Sequence, residues 1–319
     1  MSVRLGISAC LLGEKVRYDG QHKLDRSLRD TLGRHVEFVP VCPEVECGLG
    51  VPREAMRLVG DQAAPRLTTI RTRRDLTDRM LAWAERRTDE LAKADLHGFV
   101  FKAKSPSSGM ERVKVYNEKG GVIGKAPGLF ARVFMARFPL LPVEDEGRLS
   151  DPDLRENFIE RVFTLKRYRE ACADTSGSAK TTSRIMAFHA RNKFLIMAHN
   201  ETRARVMGRR LAEAVKPADA DALRAEYEND LLRAMATLAT PRKHVNVLQH
   251  IVGFFKRDLD AAEKKEWQDI LQAYKDGLLP LIVPVTMLNH YARAYGSVFL
   301  REQTYLQPHP LELKLRNHA

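Results

Sequence analysis

The chain has 319 residues, 44% of them hydrophobic and 29% charged, with 15 prolines and 19 glycines; the length suggests two domains, and the composition excludes a disordered or low-complexity chain. No apolar stretch approaches the ~20 residues of a membrane helix, and the N-terminus lacks a basic segment leading into a long apolar one, so neither membrane association nor secretion is expected and a cytoplasmic location is. The net charge of +12 is spread over both halves; it suits a polyanionic partner such as nucleic acid and equally a merely basic soluble protein.

Residues 4–8 read as a short apolar strand. Residues 23–32 place Leu24, Leu28 and Leu32 at i, i+4 and i+8, one face of a helix. A second apolar, β-branched strand covers 36–42, and 56–59 with 66–71 suggests a small hairpin. Residues 75–94 form a longer helix with Leu76, Met80, Trp83 and Leu91 near one face. A third strand follows at 98–102, a helix at 127–138 with Pro127 in its first turn, and a last strand at 140–143. Strands alternating with helices predict a parallel sheet. Beyond a polar stretch at 144–151 the strand signals vanish. Helices are expected at 152–170, 181–199, 202–215, 219–238, 241–259, 261–276 and 285–295. Thr240 is a good N-cap before Pro241, and Gly277 a good C-terminal stop. The tail from Phe299 is rich in Pro and His and is expected to pack on the surface. The fold class is therefore α/β: an N-terminal Rossmann-like domain with a mainly parallel sheet, residues 1–146, and a C-terminal all-α helical domain, residues 147–319.

Three of the four cysteines, Cys10, Cys42 and Cys47, lie near the N-terminus. Cys10 and Cys42 end apolar strands, and the loop Lys104-Ser105-Pro106-Ser107-Ser108-Gly109 follows a third strand. Open parallel sheets bind ligands at the carboxyl ends of their strands, so two thiols, Glu44 and a hydroxyl cluster should converge there. A lone cysteine at a strand end is more often a small core hydrophobe; three on converging loops reverse that preference. In a reducing compartment such thiols bind metal or catalyse more often than they pair. Thiolates select zinc, copper(I) or iron–sulfur clusters, and three ligands leave an open coordination position. Glu44 could act as general base, or be only a first-turn acid after Pro43. Ser105 could hold substrate or water, or serve as a turn residue. Lys102 and Lys104 would add positive charge. Cys172 reads as a bystander in the helical half. The turn Arg17-Tyr18-Asp19-Gly20 could line the pocket, or be a loop fixed by its Asp and Gly.

Four ordered motifs, Ser8-Ala9-Cys10-Leu11-Leu12-Gly13, Arg17-Tyr18-Asp19-Gly20, Val41-Cys42-Pro43-Glu44 and Lys104-Ser105-Pro106-Ser107, resemble the thiouracil desulfidase (TudS) family over roughly residues 1–145. The helical half resembles the YbgA-type domain through Lys193-Phe194-Leu195-Ile196-Met197-Ala198-His199, Lys243-His244-Val245-Asn246-Val247-Leu248-Gln249-His250 and Pro308-His309-Pro310. The two in this order resemble the RudS-type tRNA 4-thiouridine desulfidases. That resemblance implies a [4Fe-4S] cluster held by three cysteines with one iron open to a thiocarbonyl sulfur. It also implies Cys10 and Cys42 as ligands, Glu44 as acid/base and Ser105 as its assistant. The chain departs from the compact members of that family at Ser108 and at Val16, where they carry cysteine, and at Cys47, where they carry a small residue. Cys47 is the third ligand expected here.

The reaction implied is hydrolytic, C=S to C=O with sulfide released. RNA contacts are expected from Lys104, from the basic stretch Arg191, Lys193, Arg203, Arg205, Arg209 and Arg210, and from Arg242 and Lys243 at the start of a helix. tRNA is the expected partner, and no obligate protein partner is expected. Competing readings are a desulfidase of free thiouracil or thionucleosides, a non-catalytic nucleic-acid-binding protein with a structural or sensing metal, and a zinc hydrolase.

Overall fold

A computed structural model describes residues 2–173, 178–213 and 220–317. The chain divides into two compact units, Met1–Asp151 and Pro152–Ala319. Unit 1 is built on two four-stranded sheets. The first contains β1 (Val3–Ser8), β2 (Val36–Val41), β5 (Gly98–Phe101) and β8 (Val143–Asp145), in the order β2-β1-β5-β8, and every pairing is parallel. From β1 the chain moves outward to β2, then returns to add β5 and β8 on the other side. The switch point lies between β1 and β5, where such sheets bind their ligands.

The second sheet has the order β4-β3-β6-β7, from β3 (Met56–Val59), β4 (Arg66–Thr69), β6 (Val113–Tyr116) and β7 (Val122–Ala126). The β3–β4 hairpin matches the sequence expectation. The β6–β7 hairpin was not expected, although Val113, Val115 and the turn at Asn117 with Gly120 in a left-handed conformation (φ +88°) carry a hairpin signal. The last strand of the parallel sheet starts three residues later than expected, at Val143.

The helix expected over 23–32 does not form as such. The backbone N–H groups of Lys23 and Asp25 donate to the carbonyls of Cys10 and Leu11, both at 2.9 Å, which commits that segment to the loop after β1. Only a π-type turn, Ser27–Thr31, and a 3-10 turn, Leu32–Arg34, remain, started by Asp25 accepting from the Leu28 N–H at 3.0 Å. Leu28 and Leu32 are still buried, so the apolar spacing marked a buried face correctly and misjudged only its backbone.

Helices α1 (Pro43–Glu46), α2 (Thr77–Ala92) and α3 (Leu129–Arg137) complete the described helices of unit 1. Fully buried Phe99, Phe101, Phe130 and Phe134 form its aromatic centre, with the Phe99 and Phe101 ring centroids 4.4 Å apart and Trp83 5.3 Å from Phe130. Each such ring contributes about 2–3 kcal/mol of burial. Gly6 on β1 is required by this packing: a Cβ there would lie 2.2 Å from the Phe99 ring.

Unit 2 is helical throughout its described residues: α4 (Pro152–Ala171), α5 (Ser178–Glu213), α6 (Ala220–Met235), α7 (Pro241–Val252), α8 (Ala261–Lys275), α9 (Ile282–Ala294) and α10 (Val298–Arg301). Helices expected at 181–199 and 202–215 are one element, α5, broken at Asn200 by a non-helical backbone (φ −151°, ψ 93°). The Asn200 side chain accepts from the Arg203 N–H at 3.0 Å and so caps the second segment. Val215 and Asp219, the ends expected for two of the helices, lie outside the described residues. Thr240 caps α7, with Pro241 at its first position.

The tail is not a surface appendage. Tyr305, Leu306, His309 and Arg316 are buried. Arg316 pairs with Glu156 at 3.1 Å and with Glu160 at 2.8 Å, and His199 Nε2 lies 2.9 Å from Glu160. His244 meets the Tyr305 hydroxyl at 2.9 Å. A basic residue near the C-terminus thus neutralises two buried carboxylates, and ion pairs so buried persist only when complete. No helix among the described residues is long and apolar enough to cross a membrane.

Candidate active site

The carboxyl ends of β2, β1 and β5 open into one cavity of about 400 Å³. Ser8, Cys10, Val16, Arg17, Cys42, Glu44, Arg53, Lys102, Lys104, Ser105 and Ser108 are in its wall. Cys10 follows β1 in a short 3-10 turn, and Cys42 is the N-cap residue of α1, whose first residue is Pro43. Both thiols are buried, 9% and 8% exposed, and each belongs to the cavity wall.

Glu44 is the hub. Its Oε2 lies 3.5 Å from the Cys42 thiol and 3.7 Å from the Arg53 guanidinium. Its Oε1 accepts a short hydrogen bond from the Ser107 hydroxyl and lies 3.4 Å from the Ser105 hydroxyl. Ser105 and Ser107 are joined at 2.9 Å, and Ser105 Oγ also accepts from the Ser108 N–H at 3.1 Å. The carboxylate is therefore fixed from several sides while it remains in the cavity wall.

The serine loop is positioned by α3. Its carbonyls take the first free N–H groups of that helix, Pro106 from Leu129 and Ser107 from Ala131, both at 3.2 Å. Gly128 makes this approach possible, since a Cβ there would sit 2.5 Å from the Ser107 carbonyl. Lys104 enters the loop with a left-handed backbone (φ +60°), which costs a residue with a Cβ about 1 kcal/mol. Lys102 pairs with Glu146, and its N–H donates to Ser8 Oγ at 2.9 Å.

Burial, reinforced by Glu44, pushes the Cys10 thiol up to about 11 and the Cys42 thiol up to about 12. Without a cation between them both are protonated at neutral pH. A metal centre bound here would supply the charge that turns them into thiolate ligands. Two buried thiols on one wall suit a thiophilic centre.

Cys47 stands apart from them. It ends α1, half-buried, with its thiol 3.3 Å from the Glu44 carbonyl, and it is not in the cavity wall. Ser108 is in that wall. Of the residues expected from sequence, the fold therefore gathers Cys10, Cys42, Glu44, Lys104 and Ser105 at the cavity and leaves Cys47 outside its wall. Both readings of the Arg17–Gly20 turn hold: Arg17 and Tyr18 line the cavity, and Asp19 accepts from the Gln21 N–H at 3.0 Å to fix the turn. Sequence reasoning missed two participants. Ser107 was read only as part of a loop. Arg53 lies in a Gly- and Pro-containing segment with no periodic signal, and only the fold carries it to Glu44. Cys172, read from sequence as a bystander, is 1% exposed in the apolar core of unit 2.

The basic residues of unit 2 divide by environment. Arg203 pairs with Asp230 at 3.6 Å, Arg205 with Glu201, and Arg210 with Glu226 and Asp230. Lys243 donates to the His199 and Leu238 carbonyls at 2.8 and 2.7 Å, tying the broken α5 to the end of α6. Arg191 lies 3.4 Å from Glu302. Arg209 and Arg242 are exposed, and the Lys193 ammonium lies over the Phe194 and Phe299 rings.

Comparison with known proteins gives a separate match for each half. Residues 5–146 match the family described as 2-thiouracil desulfurase, and residues 193–310 match a protein family of unknown function, DUF1722. The uncharacterized protein YbgA of Escherichia coli K12 is 27% identical over 137 residues, 43% of this chain and 81% of that protein. The solved structure of the [4Fe-4S]-dependent thiouracil desulfidase TudS is 28% identical, with a TM-score of 0.38, and the match covers 47% of this chain and 94% of that one. The comparisons agree with the resemblance read from the motifs: residues 5–146 are similar to the 2-thiouracil desulfurase family, residues 193–310 to DUF1722, and the chain to YbgA.

Proposed function

We propose that the chain is an iron–sulfur-dependent desulfidase that converts 4-thiouridine in tRNA to uridine and releases sulfide. The observation that carries this reading is the meeting of two buried thiols, one fixed carboxylate and a serine cluster in a single cavity. It is joined to the thiouracil desulfurase match of the same residues. Cys10 and Cys42 would hold a [4Fe-4S] cluster; of the further candidates, Ser108 borders the cavity and Cys47 does not. When bound, such a centre supplies a soft Lewis acid suited to a thiocarbonyl sulfur.

The chain's own residues account for the rest of the hydrolysis. Glu44 takes a proton from water as its oxygen adds to the thiocarbonyl carbon, and later returns it to the departing sulfur. Ser107 holds the carboxylate in place, and Ser105, within reach of the same oxygen, orients the water. Lys104, Arg17 and Arg53 in the wall favour the negative charge that develops on the adduct. The C–S bond breaks, the oxygen of water stays on carbon, and no electrons are gained or lost overall.

The net charge of +12 and the basic residues of unit 2 support RNA as the carrier of the thiobase. The placement of the whole cavity in unit 1 favours a second reading, the same chemistry on free thiouracil. One experiment separates them: sulfide release by anaerobically purified full chain from 4-thiouridine-containing tRNA and from free thiouracil, with iron and acid-labile sulfide measured on the same sample. Turnover of tRNA that falls steeply with salt is the expected result. Turnover of the free base alone selects the second reading. RNA binding without sulfide release from either would make the protein a non-catalytic binder.

A further inference from the structure

Unit 2 exposes two aromatic rings that its core does not use. Phe254, in the turn after α7, is 50% exposed, and Phe299, on α10, is 37% exposed. They stack on each other, with ring centroids 5.4 Å apart and planes 30° from parallel. Beneath them Phe194 on α5 is buried and meets both edge-on, at 6.2 and 6.4 Å. Val298, next to Phe299 in the chain, is 64% exposed.

The rim of this surface carries more cations than anions: Lys193, Lys256 and Arg257 against Asp258, with Arg191 paired to Glu302 at 3.4 Å. The Lys193 ammonium lies 4.8 Å from the Phe194 centroid and 4.9 Å from that of Phe299. Arg191 stands on the same helix, and Lys256 and Arg257 follow Phe254 in the chain, both exposed. Flat rings edged by ammonium and guanidinium groups suit a ligand that is flat and apolar on its faces and anionic at its border, which describes a nucleotide.

We propose that Phe254, backed by Phe299, presents a ring face on which an unpaired base of the bound RNA stacks, with Lys193 on the other side of Phe299 facing the phosphate backbone. This rests on the RNA reading above and adds to it a preference for unpaired over fully paired RNA. The rings are held by Phe194, so stacking costs little ordering of the protein. The platform is sequence-tolerant, since every base has a π face.

The test uses full-length protein, a fluorescein-labelled tRNA, a short single-stranded RNA, and the same RNA as a duplex. Fluorescence anisotropy should show the single strand bound more tightly than the duplex. The double variant Phe254→Ala/Phe299→Ala should weaken tRNA and single-strand binding by about tenfold and leave the salt slope unchanged, because stacking releases no counterions. Phe299→Trp, which keeps a ring, should retain affinity, and its added tryptophan emission should be quenched by RNA. If the wild type binds tRNA and the double variant binds within about twofold of it, the platform is overturned and the RNA reading stands. If the wild type shows no saturable RNA binding, both fall. Sedimentation showing a dimer that the double variant abolishes would assign the surface to a second copy of the chain and overturn the proposal.

Discussion

The carboxylate of Glu44 lies 3.5 Å from the thiol of Cys42, so the proposed general base and the proposed metal-binding sulfur share one helix start. That closeness makes their roles separable by mutation. Glu44→Gln keeps the size and most of the hydrogen bonding of the side chain and removes its basicity. Iron and acid-labile sulfide should stay at wild-type levels, while sulfide release falls by about 10²–10⁴-fold. Full activity in this variant would remove Glu44 from the chemistry.

The cavity wall ranks the cysteines. Cys10→Ala and Cys42→Ala should each lose bound iron, whereas Cys47→Ala should keep it, because its thiol is turned to the Glu44 carbonyl outside the wall. Ser108→Cys places a third thiol in the wall and should raise iron content and slow its loss in air. Iron analysis and the visible absorption of anaerobically purified variants decide the matter. Loss of iron in Cys47→Ala would return that residue to the ligand set.

Gly128 tests the support of the serine loop. In Gly128→Ala the new methyl would press on the Ser107 carbonyl. Relief requires the loop to shift, at a cost of about 1–3 kcal/mol. The unfolding midpoint in urea should fall accordingly, and activity should fall further than stability as Ser105 and Ser107 leave Glu44. Unchanged activity would show that the loop does not position the carboxylate.

Three histidines of unit 2 set a pH dependence. His189 is pushed down to about 4 by burial and Lys193, His244 to about 3 by burial and Arg316, and His309 to about 4 chiefly by burial. A folded value below the unfolded one means stability that is complete above about pH 6.5 and lost as pH falls toward 4. Each histidine contributes a slope of about 1.4 kcal/mol per pH unit within that window. Urea unfolding followed at the unit 2 transition should therefore show stability falling between pH 6 and 5. His189→Gln should flatten the curve by about one histidine's share, and an unchanged slope would contradict the assignment.

The sequence by itself determined the strand–helix alternation, the change to an all-helical half, and the loops in which chemistry would sit. These are local properties: apolar period, the cap at Thr240, and the glycine stop at Gly277 all act within a few residues. Cys10, Cys42, Glu44 and Ser105 were legible because each follows a strand, and parallel strands bring their ends to one edge. Tertiary structure decided which of the neighbouring groups entered the cavity. Cys47 is near Cys42 in the chain, yet one turn of helix faces it away. Ser107 and Arg53 reach Glu44 only because the docking of α3 and the path of the loop before β3 place them there. In the same way the tail carries Arg316 to two buried carboxylates more than 150 residues away. Side-chain direction and long-range charge pairing depend on the packed chain, and no local pattern encodes them.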